Sequence, residues 1–245
     1  MDPLTAMAAS GLRARMESLD LVANNIANAS TGGYKADREF YSTYVAPEAQ
    51  DNDPNSAMPL IDRPWTDLSQ GSLVSTGNAL DLALSGRGFF AVQGPSGPLY
   101  TRNGSFHLAP DGRLVTAEGY GVRNAAGAVV TLQGANGPIT IASDGTVTQD
   151  GNPIGQLQLV DFPAGAGLSK QGSNYFRVSD PAEQPTAPAG LAVEQGKLEA
   201  SNSGTADSAV RLIGVMRQFE MMQKAVSMGL DMNRQAVEQV AKVGS

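Results

Sequence analysis

The last part of the chain, Thr205–Val243, reads TADSAVRLIGVMRQFEMMQKAVSMGLDMNRQAVEQVAKV. Its apolar residues recur at alternating spacings of four and three, the pattern of one face of a long α-helix. We call these positions the heptad face: Ala209, Leu212, Met216, Phe219, Val226, Leu230, Val237 and Val240, with Gln223 and Asn233 completing the spacing. At ~1.5 Å of rise per residue this helix would be roughly 55 Å long, more than the width of a small domain, so we expect much of it to need neighbours beyond its own chain.

A second apolar row lies on another side of the same predicted helix. We call it the methionine stripe: Met221, Ala225, Met228 and Met232. Eight of the nine methionines lie in 1–33 or 199–245, and the flexible thioether suits surfaces that differ from one contact to the next. A methionine-rich row alone is typical of an ordinary core, but the length of the helix and its two apolar sides favour contacts between chains.

The N-terminal segment predicts a second amphipathic helix. Asp2-Pro3 is a good helix start, and Gly32-Gly33 is a good helix end. The apolar face between them consists of Leu12, Met16, Leu19, Val22 and Ile26. This helix is shorter than the C-terminal one, so we expect the two to pair, parallel or antiparallel, and to leave part of the heptad face for neighbours.

The middle of the chain predicts an arm followed by short strands. Four prolines among polar residues in 34–72 favour an extended arm with loose or absent regular structure. From Leu73 onward, short apolar runs alternate with glycine-rich turns, and Phe106-His107-Leu108 is expected to form a hairpin with Leu114-Val115. The predicted fold is α+β: terminal α-helices paired as a coiled-coil-like layer, with an inserted mainly-β, barrel-like or sandwich-like domain. The predicted domains are the N-terminal helix 1–33, the arm 34–72, the β domain 73–198, and the return segment with the C-terminal helix 199–245.

Composition excludes several functional classes. The net charge is −7 and no clustered lysines and arginines are present, which argues against nucleic-acid binding. The absence of cysteine removes disulfides, thiolate nucleophiles and sulfur-ligated metals. No apolar run reaches membrane-spanning length, so we expect no membrane insertion and no cleaved signal peptide.

We find no catalytic constellation in the sequence, and we predict no cofactor, no metal and no enzymatic activity. Gly86–Ala91 formally matches a dinucleotide fingerprint but continues as a strand pattern rather than a helix, and His107 is the only histidine. A glycan-cleaving carboxylate pair is a rival hypothesis, with candidates Asp81, Asp111, Glu118, Asp144 and Asp150, most of them in or beside turns. A carbohydrate-binding or adhesin-like module with a coiled-coil stalk is another.

The segment 24–35, NNIANASTGGYK, is unusual for a helix end because asparagine amides compete for backbone groups. One explanation is that Asn24, Asn25 and Asn28 cap the helix before the glycines. The other is that their amides bond across a helix interface and fix its register, as a buried asparagine can in a coiled coil.

This segment also resembles the N-terminal signature of the flagellar rod and hook axial proteins, which reads roughly N-N-L-A-N-x-x-T-x-G-[FY]-K. The matching residues are Asn24, Asn25, Ala27, Asn28, Thr31, Gly33, Tyr34 and Lys35, whereas Gly32 stands where the family often has threonine. The family's central block is matched by Gly71, Thr76-Gly77, Leu80-Asp81, Gly86–Phe90 and Tyr100–Gly104. Leu198–Asn202 resembles the family's lead into the last helix, although Ser203 replaces the usual valine.

The resemblance implies a structural subunit of the flagellar basal-body rod that binds copies of itself and other rod proteins. It further implies export through the flagellar type III apparatus without cleavage, assembly in the periplasmic space, and terminal helices that line the inner tube with the arm and β domain outside. Arg217–Lys224 is more similar to the proximal than to the distal rod members. The predicted assembly-interface residues are Leu12, Met16, Leu19, Val22, Asn24, Asn25, Ile26, Asn28, Thr31, Gly33, Leu212, Met216, Phe219, Met221, Val226, Met228, Leu230, Met232 and Val237.

Overall fold

The ends of the chain are helical and the middle is built of short strands. A computed structural model describes residues 3–39, 41–45, 57–61, 64–132, 137–163, 167–172, 174–180 and 183–243. The helices are α1 (Pro3–Ala27) and α2 (Thr205–Val243). The strands are β1 (Asp37–Arg38), β2 (Tyr41–Val45), β3 (Ala57–Ile61), β4 (Trp65–Thr66), β5 (Leu73–Ser75), β6 (Leu82–Ser85), β7 (Phe89–Gly94), β8 (Gly97–Thr101), β9 (Phe106–Leu108), β10 (Leu114–Thr116), β11 (Gly121–Val122), β12 (Ile139–Ile141), β13 (Thr146–Gln149), β14 (Asn152–Gln156), β15 (Leu159–Val160), β16 (Leu168–Gln171), β17 (Tyr175–Val178), β18 (Ala192–Gln195) and β19 (Lys197–Glu199). The α+β class and the bounds of the C-terminal helix are confirmed.

The chain divides into two compact units. The helical unit comprises Met1–Ala27, Asp37–Asp67 and Gly204–Ser245, and the β unit comprises Asn28–Ala36 and Leu68–Ser203. Both termini therefore belong to one unit, while a short segment after α1 belongs to the other. The four domains expected from the sequence, 1–33, 34–72, 73–198 and 199–245, are divided differently and stay a prediction.

Helix α1 ends earlier than the glycines suggested. Its last residue is Ala27, and the backbone N–H of Thr31 then donates to the carbonyl of Asn28 at 3.0 Å. The Thr31 hydroxyl also lies 3.2 Å from the Asn28 side-chain oxygen. The helix stops here because this local turn satisfies groups that would otherwise continue the helical ladder.

Regular structure is present in the segment predicted as an arm. Strand β1 pairs antiparallel with β4, and β2 pairs antiparallel with β3. The expectation of loose structure across 34–72 is therefore wrong for these strands, because Tyr41–Val45 supplies aromatic and β-branched residues that favour pairing despite the nearby prolines. The polar run 46–56 lies outside the described residues, and a role as an arm that reaches another subunit stays a prediction.

The β unit is organised around an antiparallel sheet of eight strands. Its order is β16-β17-β8-β7-β11-β10-β9, with β15 also paired to β7. The path ends at β16 on one side and β9 on the other, so within the described residues the sheet is open; of the two predicted alternatives, barrel-like or sandwich-like, a closed barrel is not formed. The strands are only two to six residues long and are separated by many glycine turns, which limits how far each ladder extends.

The core of the β unit is formed by the central strands of this sheet together with strand β6, which pairs with β18 in a separate two-stranded sheet. Leu82, Leu84, Phe90 and Val92 are fully buried, and Phe90 meets Phe106 edge to face with ring centroids 5.2 Å apart. The hairpin between β9 and β10 is confirmed, with His107 opposite Val115 and exposed.

Among the described residues, neither helix has an apolar stretch sufficient to span a bilayer.

Candidate assembly site

Among the described side chains of helix α2, the apolar residues that are buried or partly buried lie along one side. Its buried and partly buried apolar residues recur at spacings of three and four: Leu212, Val215, Phe219, Met222 and Val226. This side packs on α1, where a Cβ atom added to Gly11 would lie 2.7 Å from the Cε atom of Met222. A residue without a side chain in α1 thus makes room for a flexible thioether in α2.

The residues of the heptad face divide between packed and exposed positions. Leu212, Phe219 and Val226 lie on the packed side, whereas Met216 and Leu230 are exposed. Val237 lies in α2, but its side chain is not among those that the structure describes. Sequence reasoning missed Val215 and Met222, which continue the four-and-three spacing in a neighbouring row, because the repeat alone does not select the row that faces α1.

The methionine stripe lies on the exposed surface of α2. Met221, Met228 and Met232 are 61%, 60% and 70% exposed, and Ala225 is exposed between them. The helix turns by about 100° per residue, which places the stripe on the side away from α1. The described part of the helix therefore carries one packed apolar side and one exposed apolar side. That both predicted rows serve as assembly surfaces stays a prediction.

Helix α1 contributes mostly small residues to its buried side. Ala14, Ser18, Val22 and Asn25 are buried. The other residues predicted for its apolar face are less covered: Leu12, Leu19 and Ile26 are partly buried and Met16 is exposed. Small side chains allow a close approach of the two helices, and the larger apolar residues remain partly accessible.

The Glu39 carboxylate links the two helices through hydrogen bonds to both. The Ser18 hydroxyl donates to Oε1 of Glu39, and Nη2 of Arg211 donates to Oε2 of the same carboxylate at 2.9 Å. The Glu39 side chain is only 4% exposed. Because Gly11 lies near Met222 and Ser18 is tied to Arg211, the helices run antiparallel; their pairing as a coiled coil stays a prediction.

The asparagines of the signature segment have distinct surroundings. Nδ2 of Asn25 donates to the carbonyl of Asp37 at 2.8 Å, and the Asp37 N–H donates back to Oδ1 at 3.0 Å. Asn28 and Thr31 are partly buried and form the turn after α1, while Asn24 is exposed. The amide of Asn25 therefore fastens the end of α1 to the backbone of β1.

Replacing Asn25 with alanine should destabilise the helical unit by about 1–3 kcal/mol, since the buried amide is lost and two partly buried backbone groups of Asp37 lose their partner. The midpoint of urea unfolding, followed by the fluorescence of Trp65 in the neighbouring strand β4, measures the loss. Asp20→Ala is the control, because it removes a short polar side chain at an exposed position of the same helix and should shift stability by less than about 0.5 kcal/mol. Equal losses would contradict the assigned role of the Asn25 amide.

Three segments that resemble family motifs meet in the β unit. We call them the signature junction: Gly33–Ala36, 102–104 and 199–202. The Gly33 N–H donates to the carbonyl of Glu199 at 2.8 Å, and the Ala36 N–H donates to Oδ1 of Asn202 at 2.7 Å. Asn202 also donates its own N–H to the carbonyl of Tyr34 at 3.3 Å. Residues more than 160 positions apart are thus held side by side.

A buried charge cluster lies at the centre of the signature junction. Nζ of Lys35 donates to Oε1 of Glu199 at 2.6 Å, and Nη1 of Arg102 donates to Oε2 at 3.1 Å. The side chains of Lys35 and Glu199 are fully buried, and that of Arg102 is 3% exposed. One carboxylate therefore compensates two cations in a site without solvent, where each charge depends on its partner.

Backbone groups complete the hydrogen bonding of the cluster. Lys35 also donates to the carbonyl of Ser69 at 2.6 Å, and the Gly71 N–H donates to Oε1 of Glu199 at 2.8 Å. Nη2 of Arg102 donates to the carbonyl of Gly86 at 2.7 Å. Burial lowers the pKa of the Arg102 guanidinium, and the adjacent Glu199 carboxylate opposes this shift by favouring the charged form.

The candidate carboxylates of the glycan-cleaving hypothesis have local structural roles. Asp111 accepts hydrogen bonds from the side chain and the backbone of Arg113, which lower its pKa. Asp144 accepts hydrogen bonds from the backbone and the side chain of Thr146, which lower the pKa of Asp144. A general acid needs a raised pKa, so these two carboxylates are poor candidates. Asp81 accepts from the Asn78 amide and Glu118 accepts from the Tyr175 hydroxyl.

Two further observations bear on catalysis. Asp150 lies in a turn with a positive φ of 53°, a conformation that aspartate tolerates for backbone reasons. Among the described residues, no group of three or more His, Asp or Glu side chains is placed to hold a metal ion.

Three family models match this chain. The model described as "Flagella basal body rod protein" covers residues 6–35, "Flagellar hook protein FlgE/F/G D1 domain" covers 83–149, and "Flagellar basal body rod FlgEFG protein C-terminal" covers 194–239. A flagellar basal-body rod protein FlgF of Caulobacter vibrioides is 36% identical over 228 residues, which is 92% of each chain. The chain belongs to the flagellar basal-body rod protein family.

Other members of the rod family are similar over nearly the same length. The FlgG of Agrobacterium fabrum is 33% identical over 91% of this chain and 93% of its own, and the FlgF of Mesorhizobium japonicum is 31% identical over 87% and 88%. The three matched regions include Lys35, Arg102 and Glu199. Each matched region of this rod-family chain thus contributes one charge to the buried cluster.

The cluster was missed as a functional feature by sequence reasoning. Lys35, Arg102 and Glu199 were visible within the motifs but were not singled out, because charged residues are usually exposed. The available signal was a charged residue at a matched position in each of three separate motifs. Their convergence required the tertiary structure.

Proposed function

We propose that this chain is a structural subunit of the proximal flagellar rod, comparable to the FlgF proteins it resembles. Support comes from the 36% identity to the Caulobacter vibrioides FlgF over 92% of both chains and from the second FlgF relative. The FlgG relatives make the distal rod the second candidate. The family is structural, and on this proposal the chain has no enzymatic activity.

The observation that carries the proposal is the two-sided helix α2. One apolar side packs on α1, and the three methionines of the stripe, on the side away from α1, are each more than half exposed. An exposed apolar row of this length is typical of a contact surface with other proteins. We infer from the family that the partners which bind this surface are further copies of this chain and related rod subunits.

Such contacts build a tube when each subunit uses different surfaces toward its successive neighbours. Heterologous contacts that do not close into a ring continue as a helix, so the terminal helices of many copies would form a continuous layer. Torque would then pass through many subunits in parallel. We further propose that this layer lines the inner tube, that the β unit lies outside, and that the chain is exported through the flagellar type III apparatus and assembles in the periplasmic space.

Deletion of residues 208–245 tests this function. The signature junction ends at Asn202, so the truncated chain should keep hydrogen-exchange protection in β6 and β7. When it is expressed in cells from which the native gene has been deleted, it should be absent from the basal bodies isolated from them. The full-length chain, expressed to the same level, is the control. Normal incorporation of the folded truncation would refute an assembly role for the C-terminal helix.

The position along the rod distinguishes the two rod candidates. Gold labelling of an epitope-tagged full-length chain in isolated basal bodies should place it at the membrane-proximal end of the rod. Labelling of the distal segment would assign the chain to the FlgG-like position instead, with the same family and the same general function.

A further inference from the structure

The sulfur atoms of this chain are distributed unevenly between exposed and packed positions. The chain contains no cysteine, so methionine thioethers are its only sulfur groups. Met221, Met228 and Met232 expose more than half of their surface, whereas Met222 is partly buried against Gly11. Adjacent residues of one helix therefore offer thioethers with very different access to solvent.

We propose that Met221, Met228 and Met232 form an oxidation-sensitive modification site, and that their oxidation by peroxide blocks entry of the subunit into the rod. The inference rests on the proposed function, because it assigns a modification to the surface through which the subunit would assemble. The co-reactant is a small two-electron oxidant, for which hydrogen peroxide is the probe.

The chemistry requires only the thioether and the oxidant. The methionine sulfur attacks one oxygen of hydrogen peroxide, an S–O bond forms, the O–O bond breaks, and water leaves. The sulfur loses two electrons and the peroxide gains them. The product, methionine sulfoxide, is polar where the thioether was apolar.

The position of the stripe determines the consequence. The three sulfur atoms lie on the side of α2 away from α1, so their oxidation leaves the Leu212, Phe219 and Val226 contacts in place. The helix should therefore persist while its exposed apolar surface becomes polar. Burial of a sulfoxide without a hydrogen-bond donor is unfavourable, so the modified surface loses its affinity for an apolar partner.

The first experiment measures oxidation of the purified full-length chain. After treatment with hydrogen peroxide, peptide mass spectrometry should show sulfoxide at Met221, Met228 and Met232 forming about tenfold faster than at Met222. Equal rates at the four positions would overturn the assignment of a selective site. This readout does not depend on assembly.

The second experiment measures the effect on assembly in cells that lack their own copy. A variant with Met221→Leu, Met228→Leu and Met232→Leu keeps the surface apolar and should enter basal bodies like the wild type. The variant with Met→Gln at the same positions imitates the polarity of the sulfoxide and should enter about tenfold less, while its circular dichroism shows unchanged helix content. Equal incorporation of the glutamine and leucine variants would overturn the proposal.

Peroxide treatment of the same cells links the two results. Incorporation of newly made wild-type chain should fall, and that of the leucine variant, which keeps the exposed Met16 and Met216, should fall less; a parallel loss of both would refute oxidation of the stripe as the cause. Failure of the proposed function has a different signature. In that case the untreated wild-type chain is itself absent from basal bodies, whatever the oxidation rates of the purified chain.

Discussion

Replacement of Glu199 with glutamine should destabilise the β unit by about 3–5 kcal/mol, since it removes the carboxylate that pairs with both buried cations of the cluster. Glutamine keeps the size of the side chain but presents an N–H₂ group where one of the two carboxylate oxygens was. In the wild type, Nζ of Lys35 lies 2.6 Å from Oε1 of Glu199 and Nη1 of Arg102 lies 3.1 Å from Oε2. In the variant, one of these two cations faces the N–H₂ donor instead of an oxygen acceptor. Neither cation can recover water, because both are buried.

Hydrogen exchange of the amides in β6 and β7, followed by mass spectrometry across a urea series, measures this loss of stability. The matched control is Glu194→Gln in the neighbouring strand β18. Glu194 also pairs with a lysine, Lys197, at 2.6 Å, but its side chain is 31% exposed and that of Lys197 is 42% exposed. An exposed pair is worth less than about 1 kcal/mol, so similar losses for both variants would show that burial does not make Glu199 critical.

Gly33→Ala should have an effect of similar size, about 3–5 kcal/mol, through backbone geometry rather than charge. Gly33 has a φ of +67°, which an L-residue adopts only with strain. A Cβ atom at this position would also lie 2.3 Å from the backbone nitrogen of Asn103 and 2.4 Å from the carbonyl carbon of Arg102. Backbone atoms cannot rotate away, so the variant should separate Gly33–Ala36 from the rest of the signature junction.

Gly77→Ala separates the two causes in the same hydrogen-exchange measurement. Gly77 has a φ of +73°, but a Cβ atom there would meet no atom within 4 Å. This variant should lose only about 1–2 kcal/mol of stability, which is the cost of placing an L-residue in the left-handed conformation. If Gly33→Ala costs no more than Gly77→Ala, the close approach of the two backbone segments is not required for stability.

Glu199→Gln and Gly33→Ala also test whether the three matched motifs are held together by the signature junction. Lys35, Arg102 and Glu199 come from three separate regions of the family match, yet they form one buried cluster. The cluster holds the segment after α1 beside the segment that leads into α2. A chain in which the junction opens should therefore lose protection in both segments together.

Local patterns were sufficient for the elements that depend on neighbouring residues. The four-and-three spacing predicted the helix Thr205–Val243 with its observed bounds, and the two short apolar runs 106–108 and 114–115 predicted the hairpin of β9 and β10. The same reasoning failed for the end of α1, because Gly32-Gly33 looked like the stop signal. The turn formed by Asn28 and Thr31 ends the helix first.

Composition misled the prediction for the segment 34–72. Its prolines and polar residues favoured loose structure, but Tyr41–Val45 pairs with Ala57–Ile61, including Thr43 opposite Pro59. A proline is compatible with a strand whose N–H is not needed for the ladder. Whether a strand finds a partner depends on chain distant in sequence, and the local pattern carries no information about it.

The sequence by itself determined the α+β class, the long C-terminal helix with its two apolar rows, and the resemblance to rod proteins. These depend on periodicity and on motifs, which are local properties of the chain. Only the tertiary structure decided which row of α2 packs on α1, that the methionine stripe is exposed, and that three charges from distant motifs share one dry site. The physical reason is that burial and charge pairing are set by contacts between residues far apart in sequence, so the same residues can be exposed or buried until the chain is folded.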